Sequence, residues 1–194
     1  HVLQMPIDEH RCTKANHKHH VVFMGPTGTP FTQEKARELA TYDQLVIVCG
    51  HYEGVDYRVE EHLVDETISI GDYVLTGGEL PAMVVADAVA RMIPGVLGAT
   101  SGAIEDSFYH PVLECPQYTK PQEYRGMMVP DILLSGHHKH IEQWRLEESL
   151  KRTALLRHDL LQRELTVDEL KALKRVLDRV DSEEEQQVLL NLIE

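Results

Sequence analysis

The chain has 194 residues and a formal net charge of −13, from 32 acidic and 19 basic residues. Its 42% hydrophobic and 26% charged residues exclude a disordered or fibrous class, and its length predicts one or two domains with a core that needs no disulfide or metal staple. Taken whole, the acidic balance argues against a protein that coats nucleic acid with a basic surface.

Residues 1–20 read as an irregular polar segment ending in His17-Lys18-His19-His20. That cluster fits a solvated tail or loop better than a metal site. Val21-Val22-Phe23-Met24 predicts a buried strand stopped by Gly25-Pro26-Thr27-Gly28. Thr32 is placed to cap a helix over Gln33–Ala40. Leu45-Val46-Ile47-Val48 and Thr67-Ile68-Ser69-Ile70 predict two more buried strands. Continuous apolar strands alternating with helices imply a parallel sheet covered on both faces. A helix follows from about Glu79 to Met92, with Pro81 tolerated in its first turn and Leu80, Met83, Val84 and Ala88 as its apolar stripe. Gly98-Ala99-Thr100-Ser101-Gly102 reads as a loop or linker, so residues 1–97 form an α/β domain and 98–115 a flexible connection. The remainder, 116–194, reads as a small helical domain. It holds a helix over His138–Leu155 with Ile141, Trp144 and Leu150, then capping boxes at Thr166…Glu169 and Ser182…Glu185.

The three cysteines, Cys12, Cys49 and Cys115, form no C-x-x-C pair and fit a reducing compartment. No apolar run reaches the roughly 18 residues of a membrane span, and the opening His1-Val2-Leu3 is neither a signal peptide nor an ordinary start. The expectation is a cytoplasmic protein with no membrane partner, its N-terminal part incomplete.

Ligands of open parallel sheets bind where the strands' carboxyl ends meet the following loops. Three glycine-bearing loops lie there: 25–28, 49–54 and 70–79. They serve either as tight turns or as places where backbone N–H groups approach a ligand. G-x-G-x-x-G and G-x-x-x-x-G-K-[ST] are absent, and no nucleophile elbow or zincin motif appears. The acids Glu53, Asp56, Asp72 and Glu79 crowd the same loops, which suits a cationic or uncharged cofactor rather than a phosphate. Arg91, on an otherwise largely apolar helix, reads as an ion-pair partner or a functional cation, and Asp106 as a helix cap or a functional acid.

Ser69-Ile70-Gly71-Asp72-Tyr73-Val74-Leu75-Thr76-Gly77-Gly78-Glu79-Leu80-Pro81-Ala82-Met83 closely resembles the signature of the bacterial tRNA (guanine-N1)-methyltransferase family, of the SPOUT class. Cys49-Gly50-His51-Tyr52-Glu53-Gly54, Arg91-Met92-Ile93-Pro94-Gly95, Glu105-Asp106-Ser107-Phe108, Pro116-Gln117-Tyr118-Thr119 and Ser149-Leu150-Lys151-Arg152-Thr153 continue the match in family order, over roughly residues 21–165. The resemblance implies a deep trefoil knot, which sequence patterns alone would not propose. It further implies a homodimer whose active site is shared between subunits, and methyl transfer from S-adenosylmethionine to N1 of guanosine 37 in tRNA. Asp106, on a mobile connection, becomes the general base that takes the N1 proton, and Arg91 stabilises charge on O6.

By the same resemblance, Gly50 and Ile70, Gly71, Asp72, Tyr73, Val74 and Leu75 contact the cofactor. Pro26, Tyr52, Glu53, Gly54, Gly77, Gly78 and Pro81 complete its site. Magnesium enters through the resemblance alone, with Glu53 as a carboxylate to help hold it; the residues themselves argue for no metal site. Two other readings stay open: a SPOUT methyltransferase acting at another RNA position, and a non-catalytic RNA-binding module.

The sequence departs from the family pattern at His51, where an arginine is expected, and at Tyr57, His137 and His158. The family's N-terminal strand and Gly-Gly-Gly-x-Gly-Met loop have no counterpart. Partitioned along the chain, the charge no longer excludes RNA. Residues 21–110 hold 4 basic and 14 acidic residues, residues 117–163 hold 8 and 6, and residues 164–194 hold 4 and 9. RNA contact is expected on the first part of the helical domain.

Overall fold

A computed structural model describes residues 16–51, 54–98 and 106–193. The chain divides into two compact units, 1–103 and 104–194. Of the predicted linker, 99–105 lie outside the described residues and 106–115 fall within the second unit.

The first unit is a three-stranded parallel sheet in the order β2-β1-β3. Its elements are β1 (His19–Pro30), α1 (Gln33–Leu39), β2 (Gln44–Cys49), α2 (Tyr57–His62), β3 (Glu66–Ser69) and α3 (Glu79–Ala90). The alternation of side chains along β1 explains the two covered faces. Val22 and Met24 pack with Ala36, Leu39, Ile68, Val85 and Val89 from α1, β3 and α3, while Val21 and Phe23 pack with Val48 beside Val55, Leu63 and Val64. Thr32 caps α1, its side-chain oxygen accepting the Lys35 N–H at 3.2 Å.

Three expectations need correction here. The strand predicted to begin at Val21 starts at His19, because His20 is not a tail residue. Its ring stacks on Tyr42 with centroids 4.4 Å apart, and its Nε2 lies 2.9 Å from Glu66. Nor does the strand stop at Gly25. Met24 and Thr29 both pair with Ile68, so Gly25-Pro26-Thr27-Gly28 leaves the ladder as a bulge and β1 resumes beyond it. Gly28 is required where the chain rejoins, because a Cβ there would lie 2.4 Å from the Thr67 carbonyl carbon. Of the predicted stripe of α3 only Ala88 packs against the core. Pro81, Val85 and Val89 face the core, whereas Leu80 and Met83 are 61% and 67% exposed and Val84 is exposed as well.

The second unit contains a short hairpin, β4 (Glu123–Tyr124) with β5 (Met127–Met128), then α4 (Asp131–Leu134), α5 (His138–Leu156), α6 (Val167–Leu177) and α7 (Glu183–Ile193). Leu150, Ala154, Leu161, Ala172, Leu173, Val176, Val180 and Leu189 make its core. The capping box of α6 forms as predicted from Thr166 and Glu169. Residues 113–114 are tied into this unit: Thr153 Oγ1 accepts the Leu113 N–H at 2.8 Å, and the Ser149 hydroxyl donates to the Leu113 carbonyl at 2.5 Å. Glu147 of α5 is buried. Its two oxygens accept from Arg175 and Arg179, each at 2.5 Å, and Gln143 donates as well.

Candidate functional site

The strand order places β1 between β2 and β3, so the chain crosses over β1 between the second strand and the third. In such sheets the crevice beyond the strands' carboxyl ends at the switch point is where a ligand fits. A cavity of about 420 Å³ occupies that position. The β1 bulge supplies Gly25, Pro26 and Thr27, the loop after β2 supplies Gly50, His51, Gly54 and Val55, and the loop after β3 supplies Ile70, Gly71 and Tyr73 to Gly78. Pro81 from the first turn of α3 completes it.

Two backbone links hold the loops together. Gly78 N–H donates to the Gly50 carbonyl at 3.1 Å, and His51 bridges to Gly77. A Cβ on Gly78 would sit 2.8 Å from Cys49 Cα and 2.9 Å from Cys49 Cβ, so only glycine lets α3 start this close to the end of β2. Ser69 Oγ accepts the Gly71 N–H at 3.2 Å and turns the chain out of β3. The outcome is a crevice walled largely by backbone and small apolar groups, the kind of wall that can grip an uncharged ring system closely.

Of the predicted cofactor residues, Pro26, Gly50, Gly54, Ile70, Gly71, Tyr73, Val74, Leu75, Gly77, Gly78 and Pro81 are brought together around the cavity. Asp72 is not: it is exposed and outside the lining. Tyr52 and Glu53 lie outside the described residues. The acids expected to crowd the site are engaged at its edge or away from it. Asp56 caps α2 and forms a bidentate pair with Arg58, which together with the Arg58 N–H holds its carboxyl far below the usual carboxylate range. Glu79 pairs with His51 at the rim.

The acid on the wall itself is Glu60 of α2, 3.4 Å from the Thr27 hydroxyl. No pattern in the sequence marked Glu60. Thr27 lies in the 25–28 loop, for which the sequence left a tight turn and a ligand approach both open. Cys49, which carried no nucleophile signal, has its thiol pushed up by burial and by the Glu79 carboxylate, so it is a poor thiolate source. Among the described residues no group of three or more His, Cys, Asp or Glu could hold a metal ion.

Arg91 caps the far end of α3, its N–H donating to the Asp87 carbonyl at 3.1 Å. Ten residues separate it from Pro81, roughly 15 Å along the helix axis. Asp106 is half-buried in the second unit, its carbonyl accepting the Tyr109 N–H at 3.3 Å. Arg91 does not line the cavity.

Residues 2–163 match the protein family described as tRNA (Guanine-1)-methyltransferase TrmD. The match begins well before residue 21, where the motif resemblance starts. Relatives named tRNA (guanine-N(1)-)-methyltransferase include one from Desulforamulus reducens, 67% identical over 141 residues, covering 73% of this chain and 56% of its own length. One from Brevibacillus brevis is 56% identical over 162 residues, covering 84% of this chain and 67% of the relative. A third, from Bacillus cereus strain AH820, is 56% identical over 160 residues, covering 82% and 66%. The chain thus spans between 56% and 67% of the length of these relatives.

Proposed function

The chain belongs to the tRNA (guanine-1)-methyltransferase family, and from that membership we propose that it transfers a methyl group from S-adenosylmethionine to N1 of guanosine 37 of tRNA, beside the anticodon. The observation that carries the donor assignment is the glycine-walled crevice at the switch point, which gathers the loops of the family signature around about 420 Å³. Gly50, Ile70 to Leu75 without Asp72, Gly77 and Pro81 would hold the donor. S-adenosylmethionine bound there supplies an electrophilic methyl group on a sulfonium centre. Among the described residues Glu60 is the acid on the wall, and its negative potential favours a cationic donor in the cavity. Family membership implies a SPOUT-type trefoil knot at the cofactor-binding end of the sheet. Magnesium gains no support from the described residues, and no step is built on it.

Guanine N1 carries a proton at neutral pH and cannot act as a nucleophile until it is lost. Asp106 accepts that proton as general base. Arg91 offers a guanidinium to the negative charge that develops on O6, an interaction stronger in the transition state than in the ground state. The family resemblance supports an active site assembled from two copies, which together bring a donor crevice, Arg91 and Asp106 to one guanine. Leu80, Met83 and Val84 form an exposed apolar face at helical spacing on α3, with exposed Tyr73 and Val74 on the adjoining loop. Such a face, next to the crevice, suits a homodimer contact.

The test is transfer of labelled methyl from S-adenosylmethionine to tRNA transcripts carrying guanosine or adenosine at position 37. Labelling of the guanosine transcript alone is expected, and equal labelling would overturn the position. Asp106→Ala is expected to keep donor affinity and lose turnover. Turnover near the parent rate would remove Asp106 as the base.

A further inference from the structure

We propose that a second cavity, wholly within the helical unit, is a stacking subsite for one unpaired nucleotide of single-stranded RNA; this rests on the reading above that the substrate is RNA. The cavity measures about 820 Å³ and lies between residues 116–122 and helices α4 and α5. Two aromatic rings stand on its wall. Tyr118 and Trp144 have centroids 6.3 Å apart and planes inclined by 52°, which makes a corner rather than a closed slot. Tyr118 is 48% exposed, so the corner stays open. Lys120, Arg145 and His138 share the lining with a single carboxylate, Glu142. Among the described residues neither Lys120 nor Arg145 forms a salt bridge, a state they share with Arg125, Lys139, Arg152 and Lys174 of the same unit; what sets them apart is their place beside the two rings.

Two exposed cations without a salt-bridge partner, beside an open aromatic corner, suit an anion that carries a flat ring. A nucleotide meets both demands: its base has a π-face for Tyr118 or Trp144, and its phosphate pairs with Lys120 or Arg145. An exposed aromatic face stacks a base that has left its helix, so single-stranded or looped RNA is the ligand rather than a duplex.

Trp144 is the single tryptophan of the chain, so intrinsic fluorescence reports from this corner. The 194-residue chain is titrated with a short unstructured oligoribonucleotide, with an abasic oligomer of equal length, and with polyglutamate. The base-bearing RNA is expected to quench Trp144 saturably, while the other two bind more weakly and leave emission unchanged. Tyr118→Ala, at an exposed position, is expected to weaken RNA binding about tenfold with an unchanged circular dichroism spectrum. Lys120→Ala and Arg145→Ala should each flatten the slope of log affinity against log salt by about 0.7. Equal quenching by polyglutamate or abasic RNA, or Tyr118→Ala binding within about twofold of the parent, would overturn the subsite. Trp144 emission that changes with protein concentration alone would also overturn it, by showing that a second copy fills the groove. Base-dependent quenching without methyl transfer to tRNA would overturn the proposed reaction and leave this site standing; transfer without such quenching would do the reverse.

Discussion

Gly78→Ala isolates the contact that shapes the donor crevice. Gly78 has φ −80°, a conformation any residue adopts, so the substitution introduces no backbone strain of its own. What it introduces is a methyl group 2.8 Å from Cys49 Cα and 2.9 Å from Cys49 Cβ. Carbon atoms settle at about 3.5–4.0 Å, so the start of α3 must retreat from the end of β2 by roughly 0.7 Å or more. The nearest obstacle is backbone rather than the tip of a flexible side chain, and the displacement therefore falls on the two elements themselves.

Overpacking of this kind costs about 1–3 kcal/mol, and a chain of this size loses about 2–4 °C of melting temperature for each, so a fall of roughly 2–12 °C is expected. The same movement stretches the Gly78 N–H to Gly50 carbonyl bond and opens the crevice between its two loops, and affinity for S-adenosylhomocysteine should fall more than about tenfold. Gly98→Ala is the control, because nothing lies within 4 Å of a Cβ there. Scanning calorimetry and isothermal titration read the two quantities. If Gly78→Ala melts with Gly98→Ala and binds with parent affinity, close packing at Gly78 is not what forms the site.

Glu60→Gln should weaken binding of cationic S-adenosylmethionine severalfold and leave that of uncharged S-adenosylhomocysteine nearly unchanged; an equal loss for both, measured by titration calorimetry, would remove the electrostatic role of Glu60. Met83→Glu places a charge in the exposed face of α3 and is expected to convert dimer to monomer in analytical ultracentrifugation, an unchanged mass arguing against assembly through that face. In the helical unit, the Arg163 guanidinium, outweighing burial and aided by the Thr166 N–H, holds the Glu169 carboxyl at about 2 rather than 4.5. A carboxyl depressed in the folded state stabilises it above the unfolded pKa and loses that contribution as pH falls through the folded one. Stability should therefore drop between about pH 5 and pH 2, by at most about 3 kcal/mol, and thermal melts of Glu169→Gln should show a shallower acid limb.

The sheet was legible because its strands are short apolar runs bounded by glycine, and α1 and α6 because Thr32 and Thr166 announce their starts. The bulge was not, because Gly25-Pro26 ordinarily ends a strand, and only pairing across space keeps β1 in the ladder beyond it. On α3 the periodicity was real but carried no label for inside. Pro81, Val85 and Val89 form one apolar stripe and Leu80, Met83 and Val84 another, and only packing chose between them. The glycine loops of the crevice were legible as a set. Glu60 was not, because nothing local distinguishes it from its neighbour Glu61 on a six-residue helix; nor was the Tyr118–Trp144 corner, whose partners are 26 residues apart.

Net charge averaged over the chain conceals two demands of opposite sign. A sulfonium donor calls for negative potential, and residues 21–110, which contain the crevice, carry 14 acids against 4 bases. An RNA phosphate calls for the reverse, and residues 117–163, which contain the aromatic groove, carry 8 bases against 6 acids. At physiological salt a charge is screened within about 8 Å, so each ligand responds to the groups lining its own cavity far more than to the total of −13. A duplex lying along a broad surface would meet the acidic average, whereas a single extruded nucleotide meets Lys120, Arg145, His138 and the two rings against one carboxylate, Glu142. A chain this acidic can therefore act on RNA provided that it reads an unpaired base in a local pocket, and the placement of Lys120 and Arg145 beside the rings is what that mode of recognition requires.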